Sequence, residues 1–130
     1  MSTSNTWVLL VEDDVSVADV LTEGLEKAGF RVVRAEHVGE ANAKLSQQEF
    51  ACIITDLVLG RGSGTQVIAS VRSSRGINAK VPILLMSAYL NLDLVRQLKP
   101  MINSVLVKPF DLHTLVSRVG ELLPEHDAAA

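Results

Sequence analysis

Cysteine is almost absent: Cys52 is the only one in 130 residues. Without a second thiol the chain can build neither a disulfide framework nor a thiolate metal cluster. Cys52 lies within an apolar run, where a packed, inert thiol is expected. There is no excess of positive charge. The 12 Lys and Arg against 15 Asp and Glu leave a net −3, so the basic footprint that nucleic acid demands is missing and no direct nucleic-acid contact is expected. Long apolar runs are missing too; none approaches the ~20 residues of a membrane span. The start of the chain, "MSTSNTWVLLVEDD", has no basic stretch and turns acidic after five apolar residues, unlike a signal peptide. A cytoplasmic, reducing location with no membrane partner is the expectation. The three histidines, His37, His113 and His126, share no metal-like spacing and are expected at the surface.

What is present is an alternation. At 48% hydrophobic and 21% charged, the chain suits one soluble globular domain. Trp7–Val11 is a short apolar run, followed by Val17, Val20, Leu21, Leu25 and Ala28 at helical spacing, with Gly29 where a C-terminal cap belongs. "FRVVRA" (30–35) reads as a second strand, more polar and so expected at a sheet edge. A weaker helix covers roughly Val38 to Gln47, then comes the strand Ala51–Asp56, the loop "LGRGSG" and a helix over Thr65–Arg75. "VPILLMS" is a fourth strand, with Pro82 tolerable at its start. A helix over about Leu90 to Lys99 must stop near Pro100. "SVLVK" is the fifth strand, and Asp111 can cap a last helix through Leu123, ended by Pro124. The core is expected over about 7–123, with 124–130 a polar tail. Strands that are apolar without clean alternation imply a parallel sheet covered by helices on both faces.

In such a sheet, ligands bind beyond the carboxyl ends of the strands. The first strand ends in Glu12, Asp13 and Asp14, the third in Asp56, the fourth in Ser87 and the fifth in Lys108. Any one of these is unremarkable: an acidic triplet can cap a helix, and a strand-end Asp can form a turn. Together they bring carboxylates, a hydroxyl and an ammonium to one rim. Clustered carboxylates repel one another unless neutralised, and a hard divalent cation with oxygen ligands, Mg²⁺, is the economical answer. The ammonium of Lys108 then calls for another anion, and phosphoryl oxygens fit. Asp56, exposed at the rim, is the expected nucleophile, with an aspartyl phosphate as its product.

These segments resemble the receiver domains of two-component response regulators. "LLVEDD" matches the acidic pair at Glu12 and Asp13, "IITDLVLGRGSG" the phosphoacceptor segment with Asp56 and the loop glycine Gly64, "LLMSA" the switch hydroxyl Ser87, and "VLVKPF" the pair Lys108 and Pro109. The likeness runs from about Trp7 to Leu123. It implies a flavodoxin-like five-stranded parallel α/β sheet of order 2-1-3-4-5. It implies that Asp13, Asp56 and the carbonyl of Val58 hold Mg²⁺, with Glu12 acting through water. Asp56 would accept a phosphoryl group from a phosphohistidine of a sensor kinase or histidine phosphotransfer protein, and Ser87 would then move to bond it. Lys108 would offset charge on the phosphoryl oxygens, aimed by a cis bond to Pro109. A downstream protein partner follows from the same likeness, and a homodimer is compatible with it. The chain would be a phosphoacceptor and switch, not an enzyme.

Three positions depart from the family pattern. Gly60 stands where proline is common, which predicts an unusually mobile loop. Val105 replaces the aromatic residue that accompanies the switch hydroxyl, which questions output through the usual face. Val58 and Tyr89, at the positions that tune acyl-phosphate lifetime, carry no strong group to orient water, which predicts a long-lived phosphorylated form. Two rivals are a receiver-like binding module without phosphorylation and an Asp-nucleophile phosphatase. The first would lack the acceptor, acidic pair or lysine; the second needs an Asp where Val58 stands. A dinucleotide binder is disfavoured because "GRGSG" is not the fingerprint.

Overall fold

Strands that are apolar on both faces need cover on both sides, and the chain provides it in strict alternation. The computed structural model describes residues 5–88 and 91–123. Its elements are β1 (Trp7–Val11), α1 (Val15–Lys27), β2 (Arg31–Ala35), α2 (Val38–Leu45), β3 (Cys52–Asp56), α3 (Gly64–Ser73), β4 (Ile83–Ser87), α4 (Leu92–Leu98), β5 (Ser104–Val107) and α5 (Leu112–Leu122). The strands form one parallel sheet in the order β2-β1-β3-β4-β5. This is the flavodoxin-like arrangement that the family resemblance implied. The more polar β2 lies at an edge, as its composition suggested.

Successive strand residues point to opposite faces, and two cores result. Val8, Leu10, Cys52, Ile54, Leu84, Met86 and Leu106 pack with α1 and α5 through Leu21, Leu25, Leu115 and Val119. Leu9, Val11, Ile53, Ile83 and Leu85 pack with α2, α3 and α4 through Ala41, Val67, Ile68, Val71 and Leu98. The central strands β3 and β4 are buried along their whole length. Cys52 is fully buried, and burial pushes its thiol up to about 12, so it is inert as expected.

Helix ends are fixed locally. After α1, Gly29 takes φ 98°, and the Phe30 N–H reaches the Leu25 carbonyl at 3.1 Å, closing the helix with a left-handed residue. Asp111 caps α5 by accepting from the Thr114 N–H at 2.8 Å. These bonds to Thr114 hold the Asp111 carboxyl below its usual range. The helices run a little shorter than periodicity suggested. α2 stops at Leu45, and α3 ends at Ser73 instead of Arg75; it starts at Gly64 instead of Thr65 because Ser63 and Gln66 form a capping box there. For α4, Asn91 caps through the Leu94 N–H at 3.1 Å and the helix ends at Leu98. The expected start near Leu90, the Pro124 stop and the 124–130 tail lie outside the described residues.

Three polar side chains missed in the sequence tie loops to this frame. Asn78, 5% exposed, accepts from the Phe50 N–H and donates to the Leu45 and Gln48 carbonyls. Arg72 of α3 donates to the Met101 and Ala79 carbonyls and to Asn103. Arg118 of α5 reaches across to Ser104 Oγ and the Val105 carbonyl, closing part of the β5 edge.

Candidate functional site

The sheet delivers its strand ends to one rim, and the first acidic triplet is divided there among three tasks. Glu12 turns inward, its side chain 2% exposed, and its Oε2 accepts from the Asp14 N–H at 3.2 Å. Asp13 stays at the surface and accepts from the Gly60 N–H at 2.7 Å. Asp14 is spent on capping α1, accepting from the Val17 N–H at 3.2 Å. From the neighbouring strand, Asp56 ends β3, with the Leu57 N–H held by the Met86 carbonyl at 2.8 Å. Ser87 ends β4 and is buried, and its carbonyl accepts from the Lys108 N–H at 2.7 Å. Lys108 follows β5, and its bond to Pro109 is cis.

Asp56 departs from expectation in one respect: it sits at the rim but is only 7% exposed. The Lys108 ammonium closes over it at 2.5 Å from Oδ2, while Oδ1 accepts from the Val58 N–H at 3.2 Å. Lys108 Nζ also stands 3.5 Å from Glu12 Oε1, which is buried and has no hydrogen-bond partner. Two buried carboxylates therefore share one ammonium. Ionised buried groups cost several kcal/mol each unless paired, and a single cation cannot compensate both. The deficit falls on Glu12, whose pKa rises to about 7, first through burial and then through the charge of Asp56; the Asp14 N–H and Lys108 oppose the rise. Burial disfavours the Lys108 ammonium, yet the hydrogen bond and charge of Asp56, with Glu12 added, outweigh it and its pKa is raised.

The chemistry of this donor set suits a hard cation: Glu12, Asp13 and Asp56 offer carboxylate oxygens, and the buried Glu12 Oε1 lacks a donor. Among the described residues no three acidic, His or Cys side chains already converge as a cage. Asp13 Oδ2 accepts from the Gly60 N–H and Asp56 Oδ2 from Lys108, which leaves Asp13 Oδ1 without a hydrogen bond among the described residues. A Mg²⁺ ion fits such a site because it is commonly held by one or two carboxylates and keeps several waters.

The remaining candidates are placed as follows. Val58 projects into solvent beside Asp56, 66% exposed. Val105 lies within β5, half-buried, its carbonyl engaged by Arg118. Tyr89 lies outside the described residues. The loop after Asp56 is more tightly bonded than the Gly60 departure suggested. Val58 and Ser63 form an antiparallel bridge, Gly64 N–H donates to the Leu57 carbonyl at 2.8 Å, and Gly60 is fixed to Asp13. His37 is not merely a surface residue: half-buried, it caps α2, its Nδ1 accepting from the Glu40 N–H. His113 is exposed and His126 falls outside the described residues.

Residues 8–120 match the family model described as the response regulator receiver domain. The chain is 35% identical over 113 residues to the swarming motility regulation protein RssB of Serratia marcescens, covering 86% of this chain and 50% of that protein. It is 32% identical to the transcriptional regulatory protein HprR of Escherichia coli, covering 93% of this chain and 53% of HprR. The chain thus spans about half the length of these curated relatives. Among solved structures, the receiver domain of the Pseudomonas aeruginosa sensor histidine kinase PA1611, with magnesium coordinated in its active-site cleft, superposes with a TM-score of 0.81 at 25% identity, covering 93% of this chain and 99% of that one.

Proposed function

The chain belongs to the response regulator receiver domain family, and on that premise we propose that Asp56 accepts a phosphoryl group from a phosphohistidine of a sensor kinase or phosphotransfer protein. The observation that carries this reading is the Lys108 ammonium clamped between Asp56 and Glu12. A carboxylate oxygen of Asp56 attacks phosphorus as the P–N bond breaks, and the imidazole leaves with the bonding pair. Lys108 can then transfer its contact from Asp56 to a phosphoryl oxygen, so positive charge is in place before transfer begins. Mg²⁺, when bound, would be held by Asp13, Asp56 and the Val58 carbonyl, with Glu12 through water, and would neutralise phosphoryl oxygens. Incubation with acetyl phosphate and Mg²⁺ should give one acid-stable, base-labile adduct mapped to Asp56; label on a histidine or serine would overturn the reading.

The metal site has its own expected result. Asp13→Asn removes a charged oxygen ligand and should weaken Mg²⁺ binding by about tenfold or more, as followed by amide shifts; unchanged affinity removes Asp13 from the ligand set. The switch rests on Ser87, whose hydroxyl would bond the phosphoryl group. Ser87→Ala should still be phosphorylated but lose the activated conformation. With Val105 in place of an aromatic ring, shift changes on phosphorylation should be larger near Ser87 than along β5.

The exposed Val58 offers no hydrogen bond to an attacking water, and positioning that water is a large part of hydrolysis. The acyl phosphate is therefore expected to persist, with Tyr89 assigned to the same task. Val58→Asn should shorten its lifetime in excess Mg²⁺ once the donor is removed, and equal decay would show that position 58 does not set the rate.

We read residues 7–123 as one cytoplasmic receiver unit that acts as a phosphoacceptor and switch for a downstream protein, with a homodimer as one compatible form. No helix among the described residues is long and apolar enough to cross a membrane. The expectation of no nucleic-acid contact rests on charge alone and is confined to these residues, since HprR, about twice as long, is a transcriptional regulatory protein.

A further inference from the structure

The Gly60 N–H lies on an exposed loop where water could satisfy it, yet it donates to Asp13 Oδ2 at 2.7 Å, across 47 positions of sequence. That length is typical of a charge-assisted bond. Only glycine permits the approach without a shift, because a Cβ at position 60 would stand 2.9 Å from the same oxygen. The loop that makes the contact is itself fixed. The Val58–Ser63 bridge and the Gly64 to Leu57 bond close it, and the Ser63 N–H donates to Gln66 Oε1 at 2.9 Å. Asp13 thus has a rigid donor on one oxygen and leaves the other uncommitted. Among the described residues, no other hydrogen bond engages its carboxylate.

We propose that Gly60 is a positioning residue for the metal site: its backbone N–H holds Asp13 Oδ2 and so presents Oδ1 for Mg²⁺. This rests on the phosphoacceptor reading of the site, and it assigns to position 60 a function that a proline there could not perform, since proline has no N–H. Outer donors that orient a metal-binding carboxylate commonly contribute about 10–100-fold in affinity.

The test is a double-mutant cycle in the full chain, with Mg²⁺ titrated against amide shifts. Gly60→Pro should bind Mg²⁺ about tenfold more weakly than wild type. In an Asp13→Ala background the same change should have little further effect, because the acceptor is gone. Wild-type affinity in Gly60→Pro, or additive losses in the cycle, would overturn the positioning role while leaving the phosphoacceptor reading intact. Failure of the wild type to bind Mg²⁺ or to form the Asp56 adduct would overturn both. A measurement without any change at position 60 guards against misfolding of the proline variant. In metal-free protein the Gly60 amide should exchange with solvent about tenfold faster in Asp13→Ala than in wild type, as expected for loss of about 1.4 kcal/mol of local bonding. The Gly64 amide, bonded to Leu57, should not change. Equal Gly60 exchange in the two proteins would show that the bond is not formed in solution and sink the proposal.

Discussion

Asp56→Asn should take up no phosphoryl group from acetyl phosphate and Mg²⁺, under conditions that convert the wild type. The substitution nearly preserves shape: the side-chain amide oxygen can still accept from the Val58 N–H that now reaches Asp56 Oδ1 at 3.2 Å. What it removes is the anionic nucleophile, since a carboxamide oxygen does not form an acyl phosphate. Lys108 loses its closest partner but keeps Glu12 within 3.5 Å, and the two buried cores do not depend on the pair. The fold should therefore survive, with a thermal transition close to that of the wild type. Intact-mass measurement checks the first expectation and circular dichroism the second. A folded variant that still acquires a base-labile phosphoryl group would move the acceptor to another carboxylate.

The second large effect is a dependence of metal-free stability on pH, expected to vanish in Glu12→Gln. Glu12 has a pKa of about 7 in the folded protein against 4.5 when free, because burial and the nearby Asp56 disfavour its charge. The folded state thus holds this proton more tightly than the unfolded state does. Its stabilising contribution is complete below pH about 4.5 and is lost as pH rises through about 7. A shift of that size corresponds to about 3 kcal/mol. The opposing charge of Lys108 is already contained in that value, so a decline of up to about 3 kcal/mol is expected between pH 5 and pH 8. Gln at position 12 keeps an acceptor for the Asp14 N–H but carries no proton to lose, so its profile should be flat over this range. Chemical denaturation in the presence of a chelator, repeated across the range, measures both. If the wild type is as flat as the variant, Glu12 is already ionised in the folded protein and the charge deficit is met elsewhere.

Residue by residue, the acidic triplet shows where reading the chain stops. That carboxylates gather at one rim follows from strand ends in a parallel sheet. That Glu12 is buried, Asp13 bound to a loop and Asp14 spent on a helix cap does not, because the three are adjacent and chemically alike. Gly60 is similar: as a glycine it signalled conformational freedom, whereas the fold uses its bare N–H as a donor to Asp13. Asn78, Arg72 and Arg118 gave no signal at all, since the backbone groups they serve are brought to them only by folding.

The sequence by itself determined the alternation of apolar strands and amphipathic helices, the covering of both sheet faces, and the residues at each strand end. These are local properties of periodicity, burial preference and capping. Tertiary structure alone decided which helices share a face, with α1 and α5 against one and α2, α3 and α4 against the other. It also decided the charge balance of the site. Whether Lys108 meets Asp56 at 2.5 Å, and whether Glu12 is left half-compensated, depends on the order in which β1, β3 and β5 lie in the sheet. Coulomb interactions depend on distance through space, and distances between residues 12, 56 and 108 are fixed only when the strands pair.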